Sequence, residues 1–202
     1  AWLLGSAGMV VGMVALGGYT RLTGSGLSMT DWRPLGTRPP GSAEEWEAEF
    51  ARYKSFPEYQ KVNSDISLEH FKKIFYIEWS HRMLGRATGL VFGLPFAYFT
   101  LRGRLPSAVR ARAAALLLLG GTQGLIGWWM VKSGLDHSHV LSIPRTESDL
   151  PRVSPYRLVV HLAMAFATFG GLVWTALGVT RGVYEWVPPG VEKVGKAVAG
   201  MP

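Results

Sequence analysis

The chain has 202 residues, a formal net charge of +7 at pH 7 and no cysteine. The lack of cysteine excludes disulfides and thiolate metal sites, so a metal would have to be held by histidine, methionine or carboxylate side chains. The basic residues stand between long apolar blocks rather than on one soluble face, which argues against nucleic acid as a partner.

Four blocks of the chain are apolar and approach or exceed the roughly 20 residues that a helix needs to cross a bilayer. They cover residues 2–19, 74–101, 108–131 and 156–180. We therefore predict an all-α integral membrane protein whose residues 1–180 form a four-helix bundle of up-down-up-down topology. Because the chain begins inside an apolar run, we expect it to be trimmed or to belong to a longer protein, with 181–202 as a polar tail or linker.

The link between the second and third blocks predicts how the bundle is oriented. Residues 102–112 contain four arginines and no acidic residue, which is typical of loops that face the cytoplasm or the mitochondrial matrix. The loops on the other side, at about 20–73 and 132–155, mix acids with bases. We expect membrane lipid to surround the bundle.

The long outer loop opens with a glycine-rich stretch that carries Arg21. Such a stretch favours turns and close approach to a ligand, and a guanidinium at the membrane edge can bind a carboxylate. A flexible exit loop with a snorkelling anchor explains the same residues equally well. Further along, Ser42 is the predicted N-cap of a short amphipathic helix lying on the outer membrane surface.

The second block places charged side chains where a membrane helix normally has none. Glu78, His81 and Arg82 share one sector of the helix, because residues three and four apart lie above one another. Ionisable groups inside a span indicate a pocket that faces away from lipid. Small residues further along the same face leave room for a flat macrocycle.

The third and fourth blocks each supply a polar candidate for the same pocket. Gln123 lies in a glycine-rich part of the third block and is predicted to be a buried hydrogen-bonding residue. His161 is the only ionisable residue well inside the fourth block, at a depth that matches His81. In the loop between these blocks, His137 and His139 form a weak metal pattern, which a polar surface loop explains better.

Two imidazoles at matched depth on helices that run in the same direction are suited to axial ligation of a haem iron. We therefore predict a haem site with His81 and His161 as the metal ligands. Three arginines could bind the propionates of the haem: Arg21, Arg82 and Arg157. Histidines that only pack, or that carry protons, are the alternative interpretation.

Four separated stretches carry a specific resemblance to a known family. They are GGYTRLTGSGLSM at 17–29, EWSHRMLGR at 78–86, QGLIGW with MVKSGL within 123–135, and RVSPYRLVVHL at 152–162. Together they resemble haem A synthase of the mitochondrial and proteobacterial type. That family oxidises a methyl group of haem O to the formyl group of haem A for cytochrome c oxidase biogenesis. The resemblance implies a location in the mitochondrial inner membrane or the bacterial plasma membrane.

The resemblance also implies roles for individual residues. His81 and His161 correspond to the histidine pair that is associated with the substrate haem, Gln123 lines the pocket, and Glu78 is the family's acidic residue beside it. A carboxylate there could hydrogen-bond the imidazole, relay a proton or steady a hydroxylated intermediate.

The family is built from two similar four-helix halves, and the second half carries its own histidine pair for a haem b. Activity is therefore expected to need that half or a homo-oligomer, together with an electron donor that the sequence does not identify. A non-catalytic bis-histidine haem carrier or electron-transfer cytochrome is the alternative function, and a structural bundle whose histidines only pack is a third.

Overall fold

The computed structural model describes residues 1–31, 33–135 and 152–184. These residues form helices and no strand, as the all-α prediction requires. In chain order the helices are α1 (Trp2–Leu22), α2 (Ala43–Lys54), α3 (Pro57–Lys61), α4 (Leu68–Leu101), α5 (Ser107–Leu135) and α6 (Pro155–Thr180). His137, His139 and most of the predicted tail at 181–202 lie outside the described residues.

Three helices of the described chain are long and apolar enough to cross a membrane. They are α1, α5 and α6, which correspond to the first, third and fourth predicted spans. The protein is therefore an integral membrane protein. Helix α4 is longer, at 34 residues, but its first half carries charged side chains that lower its apolar character. The second span remains a prediction.

The long helices pack in antiparallel neighbours. Helix α1 contacts α4 and α6, and α5 contacts the same two helices. The Trp2 ring, at the start of α1, lies 5.1 Å from the Phe92 ring in the second half of α4. Helices α4 and α6, which carry the two predicted ligands, are thus separated by α1 on one side and α5 on the other.

A buried apolar cluster joins these four helices near the start of α1. Leu3 and Val10 of α1 meet Phe92 of α4, Ala113 of α5 and Leu172 of α6. Within a membrane such packing relies on close van der Waals contact, because lipid tails are as apolar as the side chains. The cluster fixes the end of the helices that lies away from the two histidines.

Helix α2 begins where the sequence predicts it, and its apolar face is buried against α4. The Ser42 hydroxyl accepts a hydrogen bond from the Glu45 backbone N–H at 3.1 Å and so caps the helix. Tyr53 stacks on Phe71 of α4 with ring centroids 5.0 Å apart, and both side chains are almost fully buried. The apolar face of α2, which we predicted to lie on the membrane surface, therefore packs against α4 in the protein interior.

Helix α3 carries a buried carboxyl group that lies next to Tyr53 of α2. Glu58 is 6% exposed and accepts a hydrogen bond from the Tyr53 hydroxyl at 2.9 Å. No cation of the described residues forms an ion pair with it. Burial, supported by the charge of Glu78, raises the pKa of Glu58 to about 8. Glu58 therefore holds a proton at neutral pH that an exposed glutamate would have lost.

This proton makes the stability of the fold depend on pH. Between the ordinary glutamate pKa of 4.5 and about 8, the folded chain binds a proton that the unfolded chain releases. The free energy of unfolding should therefore fall as pH rises, by at most about 1.4 kcal/mol per pH unit. Thermal unfolding in detergent measures this slope.

Glu58→Gln removes the titrating group and should flatten the slope over that pH window. Glu44→Gln, at an exposed position of α2, is the matched control and should keep the wild-type slope. An unchanged slope in Glu58→Gln would contradict the assignment of the buried proton.

Candidate functional site

His81 lies on α4 and faces a glycine of α1. A Cβ atom added to Gly17 would lie 3.0 Å from His81 Nε2, closer than side chains normally approach a Cβ. The imidazole can occupy this position only because residue 17 has no side chain. A slot of this kind brings a ring nitrogen of α4 against the backbone of α1.

His161 also packs against a glycine, on the other pair of helices, but at an ordinary van der Waals distance. A Cβ atom added to Gly127 of α5 would lie 3.4 Å from His161 Cε1. The Nδ1 atom of His161 is buried and has no hydrogen-bond partner in the described residues. An unpaired buried nitrogen is costly, so this position favours a partner that does not belong to the described chain.

The two imidazoles stand on α4 and α6, which both pack against α1 and α5. Gln123 lies one turn before Gly127 on the same face of α5. Both polar atoms of its amide are buried and lack hydrogen-bond partners among the described residues. His161 and Gln123 thus have hydrogen-bonding capacity that the described residues do not use.

A haem group fits this donor set. Neutral imidazoles from two helices are suitable axial ligands, and the unpaired amide of Gln123 can bond to a polar substituent. The glycine slot at Gly17 lets the His81 imidazole lie against α1, and the His161 imidazole lies at van der Waals distance from Gly127 of α5.

The carboxylate of Glu78 is used by the loop that follows α1. It is 3% exposed. Its Oε2 atom accepts hydrogen bonds from the Ser28 hydroxyl at 2.7 Å and from the Met29 backbone N–H at 2.8 Å. Its Oε1 atom accepts two from the Arg82 guanidinium, at 2.5 and 3.1 Å. It makes no hydrogen bond to His81 in the described chain, although the two residues are one turn apart.

Arg82 and Arg86 continue this stripe along α4. Arg82 also donates to the carbonyl oxygens of Met29 at 2.7 Å and of Asp31 at 2.8 Å. Arg86, one turn later, donates to the carbonyl oxygens of Arg33 at 2.6 Å and Pro34 at 3.0 Å. We call Glu78, Arg82 and Arg86 the loop clamp, because they hold residues 28–34 against α4.

The other two predicted arginines lie nearer the ends of their helices. Arg157 donates to the Trp129 carbonyl oxygen at 2.7 Å, and its guanidinium lies 4.3 Å from the Trp129 ring centroid. The guanidinium of Arg21, in the last turn of α1, is exposed and forms no hydrogen bond or ion pair with the described residues. Arg21 is thus free to bind a ligand, whereas Arg82 is committed to the loop.

The sequence analysis did not predict the glycine slot at Gly17 or the loop clamp. The spacing of Glu78, Arg82 and Arg86, four residues apart, was a visible signal for the clamp, since such residues form one stripe on a helix. The slot at Gly17 gave no comparable sequence signal, because α1 contains several other glycines from which Gly17 does not stand out.

Residues 1–199 match the COX15-CtaA family, whose description is cytochrome oxidase assembly protein. The chain belongs to this family. Heme A synthase COX15 of Arabidopsis thaliana is 53% identical over 178 residues, which are 88% of this chain and 38% of the relative. Heme A synthase COX15 of Saccharomyces cerevisiae is 46% identical over 194 residues, or 96% of this chain and 39% of the relative.

A bacterial member of the family, Heme A synthase of Parvibaculum lavamentivorans, is 44% identical over 201 residues. Those residues are 99% of this chain and 55% of the relative. The chain therefore spans between 38% and 55% of the length of these curated relatives. No solved structure matches it.

The loop clamp predicts which segment loosens when one arginine is lost. Arg86→Gln removes two charge-assisted bonds to loop carbonyls but leaves Glu78 paired with Arg82. Residues 29–37 should then exchange their amide hydrogens about fivefold faster, for a loss of about 1 kcal/mol. Hydrogen exchange with mass spectrometry measures this change.

Arg104→Gln, in the link after α4, is the control and should leave the exchange of this loop unchanged. If Arg86→Gln does the same, the bonds from Arg86 do not hold the loop.

Proposed function

We propose that this chain is the substrate-binding half of a haem A synthase. In this proposal the four long helices form an up-down-up-down bundle that binds haem O and takes part in its oxidation to haem A. The observation that carries the proposal is the pair of glycine-backed histidines, His81 and His161, beside the unpaired amide of Gln123. The name Heme A synthase, which the family members carry, suggests the reaction.

His81 and His161 are the proposed axial ligands of the iron of haem O. Gly17 leaves room for the His81 imidazole to lie tightly against α1, and the His161 imidazole lies at van der Waals distance from Gly127 of α5. Arg21 is the proposed partner of a propionate, because its guanidinium has no competing bond in the described chain. Arg157 is a second candidate, although it already donates to the Trp129 carbonyl.

The proposed reaction replaces two hydrogen atoms of a haem O methyl group with one oxygen atom. With dioxygen as the oxidant, two successive hydroxylations each consume one O2, two electrons and two protons and release one water, and the resulting diol loses a further water to give the formyl group. We propose that a second four-helix half with a haem b, or a second copy of this chain, passes these electrons on from an electron donor. The proposed location is the mitochondrial inner membrane or the bacterial plasma membrane, with the 102–112 link on the matrix or cytoplasmic side.

Glu78 is proposed to act on the reaction by positioning the loop. Its carboxylate is saturated by Ser28, Met29 and Arg82, which leaves little capacity to bond the imidazole. It thereby holds the start of the loop one helical turn before His81. This positioning role differs from the three that the sequence left open, which were a hydrogen bond to the imidazole, a proton relay and the steadying of a hydroxylated intermediate.

The haem site predicts a spectrum that depends on both histidines. The purified chain titrated with haem should develop the sharp Soret and alpha bands of low-spin, bis-histidine haem. His81→Ala and His161→Ala should each abolish these bands, because one axial ligand is lost. His70→Ala, at an exposed position of α4, should keep them. Bands that survive both ligand substitutions would sink the haem assignment.

Two matched glycine variants test the slot at Gly17 in the same haem titration. Gly17→Ala pushes a methyl group into His81 and should weaken haem binding about tenfold, the effect of about 1.4 kcal/mol. Gly18→Ala meets open space and should bind haem as the wild type does. Equal affinities for the two variants would show that the slot does not position the imidazole.

Haem A production separates a synthase from a haem carrier or an electron-transfer cytochrome. Cells that make haem O but not haem A should accumulate haem A when they express this chain with the C-terminal half of a relative. Glu78→Gln should lower that yield about tenfold or more while low-spin haem binding persists. Full yield from Glu78→Gln would contradict a functional role for the carboxylate. Haem binding without any haem A from the wild-type pair would favour the carrier.

A further inference from the structure

The end of the long helices away from the histidines carries a group of arginines that have no acidic partner among the described residues. All acidic residues of the described chain lie between positions 31 and 78. The arginines of this end are in the link after α4, in the first turns of α5 and at the end of α6: Arg102, Arg104, Arg110, Arg112 and Arg181. No carboxylate of the described residues at this end neutralises them.

Arg112 is the member of this group that the fold holds in place. Its guanidinium carbon lies 4.2 Å from the Trp174 ring centroid and 5.2 Å from the Tyr184 ring centroid. Such cation–π contacts orient the charged group. Its Nη1 atom is nevertheless buried and has no hydrogen-bond partner among the described residues. A buried donor of this kind requires an acceptor from outside the described chain.

Tyr184 reaches Arg112 because the chain folds back on the end of α6. The Val183 N–H donates to the Gly178 carbonyl oxygen at 3.0 Å. A Cβ atom on Gly178 would overlap the Tyr184 ring, so this position tolerates only glycine while the ring stays in place. Trp174, Gly178 and Arg181 share one face of α6, since they are spaced four and three residues apart. The pocket around Arg112 is therefore built by specific residues.

The positive charge of the guanidinium favours an anion as this acceptor, and the position of Arg112 near the helix ends favours a lipid headgroup. Helices α5 and α6 are both long and apolar enough to span a membrane, so their ends lie at the level of lipid headgroups. Trp174 is 65% exposed and sits two turns from the end of α6, beside the region of the acyl chains. Guanidinium groups bind phosphate through paired hydrogen bonds.

We propose that Arg112 and Arg181 bind the phosphate group of an anionic phospholipid, with Trp174 against its acyl chain. The site uses residues at the opposite end from His81 and His161, so it is independent of the proposed haem chemistry.

Phosphatidylglycerol added to the purified 202-residue chain in detergent is the direct probe. It should raise the midpoint of thermal unfolding by several degrees, because a ligand that binds only the folded state stabilises it. Arg112→Gln should lose most of this rise. Lys61→Gln, an exposed position at the other end of the protein, should keep it. Inorganic phosphate should have no effect, because it lacks the acyl chain.

Three results would overturn the proposal. Phosphatidylcholine of the same chain length could stabilise the protein equally, inorganic phosphate could reproduce the effect, or Arg112→Gln could respond as the wild type does. If Arg112→Gln does not fold, Gly178→Ala is the substitute, since it displaces Tyr184 and keeps every charge. A full response to phosphatidylglycerol in Gly178→Ala would likewise refute the built pocket.

Discussion

The loop between α1 and α4 depends on the hydrogen bonds of the buried Glu78 carboxylate. A charge at 3% exposure is tolerated only when it is paired and hydrogen-bonded, and an uncompensated one costs several kcal/mol. Four hydrogen bonds meet that requirement here, two from the adjacent loop residues Ser28 and Met29 and two from Arg82 of α4. Met29 takes part in this network and in the aromatic cluster beneath α2. The same residue therefore couples the clamp to the packing of the loop layer.

The features that could be predicted from sequence are those that local chemistry decides. The length of an apolar block is enough to assign α1, α5 and α6 as membrane-spanning candidates, and the Ser42 cap depends on residues only three positions apart. The partners of Glu78 escaped prediction because Ser28 lies 50 positions away and Met29 contributes a backbone N–H, which every residue has. The sequence shows that a glutamate at position 78 is unusual for a membrane helix, but it does not show which groups donate hydrogen bonds to its carboxylate.

Two further features of the structure, the burial of α2 and the packing of His81 on Gly17, could not be predicted because the sequence patterns fit more than one arrangement. The spacing of the aromatic residues of α2 suits a membrane surface and a protein interior equally, and only the folded loop shows that Phe71 and its neighbours cover them. The choice of Gly17 over Gly18 as the slot for His81 depends on the rotation of α1 against α4. That rotation is a property of two packed helices, which neither helix sequence contains alone.

Each histidine is held by its own antiparallel helix pair, His81 by α4 with α1 and His161 by α6 with α5. A molecule that both imidazoles bind at once therefore links the two pairs across the bundle as a non-covalent crosslink. Such a crosslink makes the assembly of the helices and the capture of the ligand one coupled equilibrium. In this protein the last step of folding and the first step of function would then be the same event.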